Sequence, residues 1–266
     1  MTPRVALTIA GSDSSGGAGI QADLQTFAAL GVFGTSAITA LTAQNTIGVQ
    51  GVQAVPTEFV LAQVDSVLDD FDVAAVKTGM LATAETVRAI AALAADGRFP
   101  RLVVDPVMVA TSGDRLLEPR AEGLYVETLL PLATVVTPNV REAEVLLGTS
   151  ICTLADQREA ARALGGLGPD AVVVKGGHAV NDSADEAVDV VWNGTSIREL
   201  RVPRVDTVNN HGTGCTFASA IAAALASGAG VDDALDAAKN FVSRAIAGSA
   251  SWHLGHGRGP LDHFHW

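Results

Sequence analysis

The sequence predicts an α/β protein with a mostly parallel central sheet flanked by helices on both faces. Two observations support this fold class. Short apolar runs rich in valine alternate along the chain with stretches of helical pattern, and such alternation is typical of parallel sheets with helical crossovers. Inner runs such as residues 171–174 are continuously apolar, as expected of strands that are buried on both faces.

The predicted elements follow one another from one end of the chain to the other. Strands are expected over residues 4–10, 35–41, 72–76, 101–104, 133–136, 171–174 and 187–192. Helices are expected over residues 17–30, 57–70, 83–95, 119–130, 141–147, 154–165, 213–227 and 231–248. No internal repeat or linker divides the 266 residues, which suit one large α/β domain. We therefore expect a single domain over residues 1–266.

Composition excludes several classes of function. The formal net charge is −12, and an acidic protein repels nucleic acid and anionic lipid. Two cysteines, Cys152 and Cys215, are too few for a disulfide framework. The apolar run near the N-terminus is too short for a signal sequence or a membrane span. These features predict a cytoplasmic protein that has neither nucleic acid nor a membrane as its main partner.

Polar residues end four of the apolar strands. Lys77, Asp105, Asn139 and Lys175 each follow a run of buried-type residues. The carboxyl ends of parallel strands form the ligand crevice of open α/β sheets. The chain has only three lysines, and two of them stand at strand ends. We therefore expect these four side chains to gather at one edge of the sheet and to form a site.

A glycine-rich segment precedes the first alanine-rich helix near the C-terminus. It runs Gly212-Thr213-Gly214-Cys215. Glycines let a ligand approach the backbone closely, and the first amides of a helix are unpaired and lie at the positive end of its dipole. This segment predicts an anion hole that suits a phosphoryl group.

A second glycine-rich loop, Gly11–Gly19, joins the first strand to the first helix. It contains a G-x-G-x-x-A match beginning at Gly17, which raises the alternative of a dinucleotide site. We reject this alternative because the match begins seven residues after the strand and no acidic residue lies about 20 residues further on. No Walker A motif and no zinc-ligand spacing are present.

Two sets of residues are assigned no function. Cys152 is interpreted as a packing residue. Four histidines near the C-terminus, His253, His256, His263 and His265, lack acidic or thiol partners in the sequence and are expected to be solvated rather than to bind a metal.

Ordered motifs along the whole chain resemble those of hydroxymethylpyrimidine/phosphomethylpyrimidine kinases of thiamin biosynthesis, which belong to the ribokinase-like superfamily. The matching segments are 10–23, 39–46, 77–81, 105–108, 137–139 with Glu142, 174–178, 211–216 and 255–260. The resemblance implies a ribokinase-like fold, usually a homodimer, with ATP and Mg²⁺ as cofactors. It also implies two successive phosphorylations, first of 4-amino-5-hydroxymethyl-2-methylpyrimidine and then of its monophosphate.

The resemblance also implies roles for individual residues. The expected pyrimidine-binding residues are Gly11, Asp23, Gln44, Met80 and Val107, with Gln44 hydrogen-bonded to the ring and Asp23 near the hydroxymethyl group. The expected nucleotide-binding residues are Asn139, Lys175, Thr213 and Lys239, the last beside the adenine. Asp105 and Glu142 would hold Mg²⁺, which prefers oxygen ligands.

Gly212, Thr213, Gly214 and Cys215 would form the catalytic segment. Most ribokinase-like kinases place an aspartate base at the position of Cys215. A thiol at a helix N-terminus is expected to favour the thiolate form. Phosphoryl transfer also needs little early proton removal, so a weak base suffices.

Two alternatives remain open at this stage. A pyridoxal or pyridoxine kinase would phosphorylate a similar hydroxymethyl group on another six-membered ring, although Gln44 and the Met80 segment favour the pyrimidine. A catalytically inactive binding protein on the same scaffold is disfavoured, because Asp105, Glu142, Lys175 and the 212–215 segment are all present.

Overall fold

The computed structural model describes residues 2–108, 117–176 and 185–265. Its centre is a nine-stranded sheet with the order β3-β2-β1-β4-β5-β6-β7-β8-β9. The strands are β1 (Val5–Asp13), β2 (Phe33–Gln44), β3 (Val49–Ala54), β4 (Val73–Thr78), β5 (Leu102–Val104), β6 (Val135–Val136), β7 (Ala171–Lys175), β8 (Glu186–Trp192) and β9 (Ile197–Pro203). The helices are α1 (Gly19–Ala29), α2 (Thr57–Leu68), α3 (Ala84–Ala95), α4 (Glu122–Leu124), α5 (Val140–Leu147), α6 (Leu154–Gly165), α7 (Thr213–Ala226) and α8 (Val231–Ser249).

Six neighbouring strands, β2, β1, β4, β5, β6 and β7, run parallel. Strands β3, β8 and β9 pair antiparallel at the two sides of the sheet. The predicted mostly parallel sheet is confirmed. Its consequence for function is geometric, because the carboxyl ends of the six parallel strands meet at one edge.

The hydrophobic core lies in two layers, one on each face of the sheet. One layer packs α2, α3, α5 and α6 against residues such as Val172 and Val174 of β7. The other packs α1, α7 and α8 against the alternate residues, Ala171 and Val173. Each inner strand is therefore buried on both faces, which explains its continuously apolar sequence.

Two strands were not predicted from the sequence, β3 and β9. Both lie at the sides of the sheet, and their sequences alternate polar and apolar residues instead of forming apolar runs. A strand with one solvent-facing side shows this weaker alternation. The search for continuous apolar runs therefore missed them.

The predicted continuous helix over residues 119–130 is wrong. The chain there forms a 3₁₀ turn (Pro119–Ala121), the single turn α4, a wide π turn (Tyr125–Leu129) and a second 3₁₀ turn (Leu130–Leu132). Gly123 weakens a helix. Pro131 cannot donate a backbone hydrogen bond and crowds the carbonyl four residues earlier, which disrupts helical geometry.

Helix α7 is the most deeply buried helix of the second layer. Its residues are small and largely buried, so it packs closely against the sheet and against α1 and α8. Its first turn lies at the carboxyl edge of the parallel strands. Among the described helices, none is long and apolar enough to cross a membrane.

Candidate active site

Three of the four predicted strand-end residues come together at the carboxyl edge of the sheet. Asp105 follows β5, and its Oδ1 lies 2.8 Å from Nζ of Lys175 at the end of β7. The hydroxyl of Thr137 donates to the same oxygen at 3.1 Å. Asn139 follows β6 and pairs with Lys175 in a short parallel bridge. The predicted gathering of Asp105, Asn139 and Lys175 is confirmed.

Lys77 lies behind this edge and not on it. Its side chain is fully buried within β4, with Nζ 2.8 Å from Oδ2 and 3.0 Å from Oδ1 of Asp23 on α1. Burial alone would lower the pKa of Lys77, but the charge of Asp23, aided by Cys215 and Asp105, raises it above its ordinary value. Lys77 is therefore a permanently charged group beneath the site.

The expected place of Asp23 near the substrate hydroxymethyl group stays a prediction, and the structure shows Asp23 beneath the site. Asp23 has no exposed surface. Besides Lys77, its carboxylate accepts hydrogen bonds from Thr8 and Ser219, both at 2.6 Å. A buried carboxylate must be paired and hydrogen-bonded to be tolerated, and these partners surround Asp23. Its role is to compensate the buried charge of Lys77.

The start of α7 approaches Lys175 and Asp105. Gly212 has φ +84°, and a Cβ at this position would lie 1.8 Å from the carbonyl oxygen of Gly17, so only glycine fits. A Cβ at Gly214 would lie 3.1 Å from Nζ of Lys175 and 3.8 Å from Oδ2 of Asp105. The unpaired amides of a helix N-terminus and a lysine ammonium therefore converge on one small volume.

Cys215 lies in the first turn of α7 and accepts a hydrogen bond from the backbone N–H of Gly19, the first residue of α1. Burial, together with the charges of Asp23 and Asp105, raises the pKa of this thiol to about 11, although Lys77 acts in the opposite direction. The expectation that the helix N-terminus favours the thiolate is therefore wrong. At neutral pH Cys215 is a thiol.

Asn139 and Glu142 form a capping box at the start of α5. Asn139 N–H donates to Oε2 of Glu142 at 2.8 Å, and Glu142 N–H donates to Oδ1 of Asn139 at 2.9 Å. The N-x-x-E spacing is a known helix-start signal, which sequence reasoning left unused. Burial and the nearby Asp105 raise the pKa of Glu142 to about 7, against the opposing effect of Lys175.

The carboxylates of Asp105 and Glu142 suit a hard divalent cation. Each is almost fully buried, and Asp105 raises the pKa of Glu142 by repulsion. A cation between them would relieve that repulsion. Within the described ranges, no cluster of three or more acidic, histidine or cysteine side chains could hold a metal alone. Mg²⁺ commonly uses one or two carboxylates plus substrate phosphates, so this pair fits it.

A small apolar cluster lies beside the glycine-rich loop. Met80 packs with Ala40, Ala82 and Val107. A Cβ at Gly11 would lie 2.4 Å from the terminal methyl carbon of Met80, so a larger residue there would displace the end of the Met80 side chain. Three of the predicted pyrimidine-binding residues, Gly11, Met80 and Val107, are thus brought together by the fold.

Gln44, the last residue of β2, lines a cavity of about 420 Å³. The cavity also borders His211 and the 256–258 segment, whereas Met80 and Val107 do not line it. The Gln44 side chain lies near His211, with Nε2 of the amide 3.4 Å from Nε2 of the imidazole.

Lys239 forms a buried ion pair with Asp189 of β8, at 2.6 Å. The other oxygen of Asp189 accepts the backbone N–H of Gly176 at 3.0 Å. Lys239 therefore supports the turn that follows Lys175, a contact that the sequence did not reveal. It also lines a separate cavity of about 220 Å³, and its expected role beside adenine stays a prediction. Gly177 and His178 of the predicted motif lie outside the described residues.

The C-terminal segment packs against the site, contrary to the expectation for its histidines. His263 is buried, and its Nε2 lies 2.9 Å from the hydroxyl of Thr216 on α7. The backbone of this segment bonds to two distant parts of the chain. Arg258 N–H donates to the carbonyl of Thr46 at 2.9 Å, and His211 N–H donates to the carbonyl of Gly259 at 3.0 Å. His253, His256 and His265 are exposed as expected.

Asp13 and His211 are site residues that sequence reasoning missed. Nε2 of His211 lies 2.7 Å from Oδ2 of Asp13. Asp13 also accepts the N–H groups of Ser15 and Ala18 at 2.8 and 2.9 Å. Burial opposes ionisation of Asp13, but its hydrogen bonds to His211 and Ser15 prevail and lower its pKa to about 2. Both residues belong to noted motifs, yet nothing in the sequence indicated that they pair across 198 positions.

The buried Lys77–Asp23 pair yields a stability prediction. Lys77→Met leaves a fully buried carboxylate without its cation, so we expect the free energy of unfolding to fall by about 3–5 kcal/mol. Urea denaturation measures this change. Arg98→Ala removes the exposed ion pairs to Asp65 and Asp69 and should cost under about 1 kcal/mol. Equal, small losses in both variants would contradict the assignment of Lys77 and Asp23 as a central pair.

Residues 13–262 match the family model for phosphomethylpyrimidine kinase. The hydroxymethylpyrimidine/phosphomethylpyrimidine kinase of Rhizobium meliloti (strain 1021) is 52% identical over 267 residues, covering 98% of this chain and 97% of that protein. The thiamine biosynthesis bifunctional protein ThiED of Geobacter sulfurreducens is 49% identical, covering 97% of this chain and 51% of that protein. The crystal structure of an ADP complex of Bacillus subtilis pyridoxal kinase superposes with a TM-score of 0.89 at 39% identity over 98% of both chains. The chain therefore has the predicted ribokinase-like fold and belongs to the phosphomethylpyrimidine kinase family.

Proposed function

We propose that this protein uses ATP to phosphorylate 4-amino-5-hydroxymethyl-2-methylpyrimidine to its monophosphate and then to the diphosphate, in thiamin biosynthesis. The observation that carries the proposal is the approach of the first turn of α7 to Lys175 and Asp105, in a chain of this family. A helix N-terminus next to an ammonium group is built to hold a phosphoryl group as it is transferred.

Positioning and charge supply most of the catalysis. The backbone amides of Gly212 and Gly214 would face the oxygens of the phosphoryl group, whereas the N–H of Thr213 donates to the carbonyl of Asn210 at 3.4 Å. Lys175, held by Asp105 at 2.8 Å, would neutralise phosphate charge next to these amides. Phosphoryl transfer has a loose transition state whose charge is spread over the phosphoryl oxygens, so these fixed donors lower the barrier without rearrangement.

Asp105 and Glu142 would hold Mg²⁺. When bound there, the cation would supply positive charge that offsets the charge of the nucleotide phosphates. Asn139 supports this pair indirectly, because its capping bond fixes the first turn of α5 and hence Glu142. Asn139 and Thr213 remain proposed nucleotide contacts.

Cys215 would position the substrate hydroxyl as a thiol and would not remove its proton at the outset. Its raised pKa makes an early base role unfavourable. In a loose transition state the attacking hydroxyl becomes acidic only as its bond to phosphorus forms. The thiol therefore needs to orient the hydroxyl more than to ionise it.

Substitutions of Cys215 separate these two roles. Cys215→Ser keeps a hydrogen-bonding group, so we expect kcat within about tenfold of wild type. Cys215→Ala removes it, and we expect kcat to fall by about 10²-fold, as misplacement of a reactant does. ADP release at saturating substrate measures both. A serine variant as inactive as the alanine variant would instead support an obligatory thiolate base.

The raised pKa of Glu142 leads us to predict that Mg²⁺ binding by the free enzyme depends on pH. Its pKa is raised to about 7, so the carboxylate is ionised above pH 7 and protonated below. We expect the apparent Mg²⁺ affinity to weaken by up to about tenfold per pH unit below 7. Glu142→Gln should bind Mg²⁺ weakly at every pH, whereas the exposed Glu58→Gln should match wild type. If Glu142→Gln showed the same dependence of Mg²⁺ affinity on pH as wild type, the assignment of this dependence to Glu142 would be refuted.

A pyridoxal kinase is the second candidate function. The observation in its favour is the close superposition with the pyridoxal kinase structure described above. Gln44 opposes it, because an amide offers a donor and an acceptor together and suits an aminopyrimidine edge. An inactive binding protein is disfavoured by the convergence of Lys175, Asp105 and the α7 N-terminus.

The deciding experiment measures ADP release with Mg-ATP and, separately, the hydroxymethylpyrimidine, its monophosphate and pyridoxal. Turnover of both pyrimidines with little turnover of pyridoxal is the expected result. Turnover confined to pyridoxal would overturn the proposed substrate. Lys175→Met is the control for contaminating kinases, since it should be inactive with every substrate.

We further propose a cytoplasmic homodimer of single-domain chains. The ATP requirement supports the location, and the single sheet supports one catalytic domain. Large apolar side chains exposed on and next to β2 and β3, including Leu41, Ile47 and Val52, support association. Sedimentation of the purified protein at the mass of one chain would contradict the dimer.

A further inference from the structure

We propose that Asp13 and His211 fix the orientation of the Gln44 side-chain amide, and that they are positioning residues for recognition of the pyrimidine edge. This inference rests on the proposed function for its substrate. It rests on the described contacts for the arrangement of hydrogen atoms.

The Asp13 end of the network determines where the proton lies on His211. A carboxylate can only accept hydrogen bonds. Asp13 already accepts the N–H groups of Ser15 and Ala18, which are suited to its ionised form. Nε2 of His211, 2.7 Å away, must therefore carry a hydrogen and donate it.

The position of the proton on His211 determines which end of the Gln44 amide can face the imidazole ring. A protonated ring nitrogen cannot accept, so an amide NH₂ facing Nε2 of His211 at 3.4 Å would oppose two donors. On its other side, the Gln44 amide oxygen lies 3.1 Å from the hydroxyl of Thr42, which also lies 2.9 Å from the carbonyl of Ser12. The single hydroxyl hydrogen lies along the shorter contact to Ser12, which leaves the Gln44 oxygen facing the Thr42 oxygen with no hydrogen directed between them.

A half-turn of the amide resolves both conflicts without changing its shape. The amide oxygen then faces the Nε2 hydrogen of His211 as a second, weaker acceptor at 3.4 Å, in a three-centre arrangement with Asp13 at 2.7 Å, and the amide NH₂ donates to the Thr42 oxygen. The Thr42 hydrogen is free to bond to Ser12. Every donor in the chain from Asp13 to Ser12 then meets an acceptor, and buried or half-buried polar groups favour such complete pairing.

The imidazole is held in place by the surrounding backbone. His211 is nearly buried, and its backbone N–H donates to the carbonyl of Gly259. A Cβ at Gly17 would lie 2.5 Å from Cδ2 of the ring, so the ring lies directly against the glycine-rich loop. Gln44 itself is fixed through its backbone N–H, which donates to Ser14 at 2.8 Å.

The consequence is selectivity for one order of donor and acceptor. His211 and Thr42 fix the two ends of the Gln44 amide. The second N–H and the second oxygen lone pair of the amide therefore face a bound ligand in a single order. An aminopyrimidine edge, with an exocyclic amino donor beside a ring-nitrogen acceptor, complements one order only. A site built to bond a substrate N–H discriminates strongly against an analogue that lacks it.

The test compares the hydroxymethylpyrimidine with its analogue lacking the 4-amino group. Asp13→Asn keeps nearly the same side-chain shape but places an amide NH₂ next to Nε2 of His211. This NH₂ favours the ring tautomer that has no hydrogen on Nε2. The Gln44 amide then loses the neighbour that fixes its orientation. We expect KM for the pyrimidine to rise about tenfold, KM for ATP to change less than twofold, and discrimination against the deamino analogue to fall about tenfold. Asp262→Asn, which removes another buried carboxylate, should change none of these.

His211 provides a second pair of variants. His211→Leu should reproduce the effect of Asp13→Asn, and His211→Gln, which keeps a donor, should recover part of the discrimination. A role limited to stability would weaken binding of the two pyrimidines equally. Discrimination that stays at the wild-type level in Asp13→Asn and His211→Leu would therefore overturn the proposal.

Nitrogen-15 NMR of the histidine rings tests the proton arrangement without any substrate. We expect Nε2 of His211 to be protonated in wild type and to lose that hydrogen in Asp13→Asn. An unprotonated Nε2 in wild type would refute the proposal even if the kinase activity is confirmed. A protonated Nε2 together with no turnover of either pyrimidine would instead count against the proposed function alone.

Discussion

The buried ion pair between Lys77 and Asp23 is the interaction on which the site depends. It joins β4 to α1, and Asp23 also takes hydrogen bonds from β1 and from α7. Four elements therefore meet at one carboxylate directly beneath the catalytic segment. Such a pair is stable only with complete hydrogen bonding, so it fixes the relative positions of these elements. The close approach of Gly212 to Gly17 depends on the same packing of α7 against α1 and its preceding loop.

Burial and the fixed charges beneath the site also determine the protonation state of Cys215. Burial opposes ionisation of Cys215 most, Lys77 favours it, and the charges of Asp23 and Asp105 add to the opposition. The outcome is a neutral thiol next to an ammonium and a helix N-terminus. A neutral group at this point leaves the local positive potential available for phosphate, where an anionic thiolate would compete with it.

The sequence predicted those features that depend on local pattern. Continuous apolar runs identified the inner strands, and the polar residues that end them identified Asp105, Asn139 and Lys175. The features that sequence reasoning missed or mispredicted depend on burial and on distant partners. The resemblance implied a place for Asp23 near the hydroxymethyl group, but it gave no sign that the partners of Asp23 lie on three other elements. The thiolate of Cys215 was expected from one helix terminus, while burial, with smaller effects of Asp23 and Asp105, keeps the thiol protonated. The pairing of Asp13 with His211 joins opposite ends of the chain and has no local signal.

The C-terminal segment carries a consequence for the biogenesis of the enzyme. The N–H of Arg258 donates to Thr46 and the carbonyl of Gly259 accepts from His211, so this segment connects the loop after β2 with the catalytic segment. During synthesis, the strand that carries Gln44 leaves the ribosome long before these residues do. The central strands can therefore form while the chain is still growing, but the substrate pocket is completed only after residues 258–260 have emerged. A nascent chain should consequently be folded in large part yet inactive, which separates the timing of folding from the onset of activity.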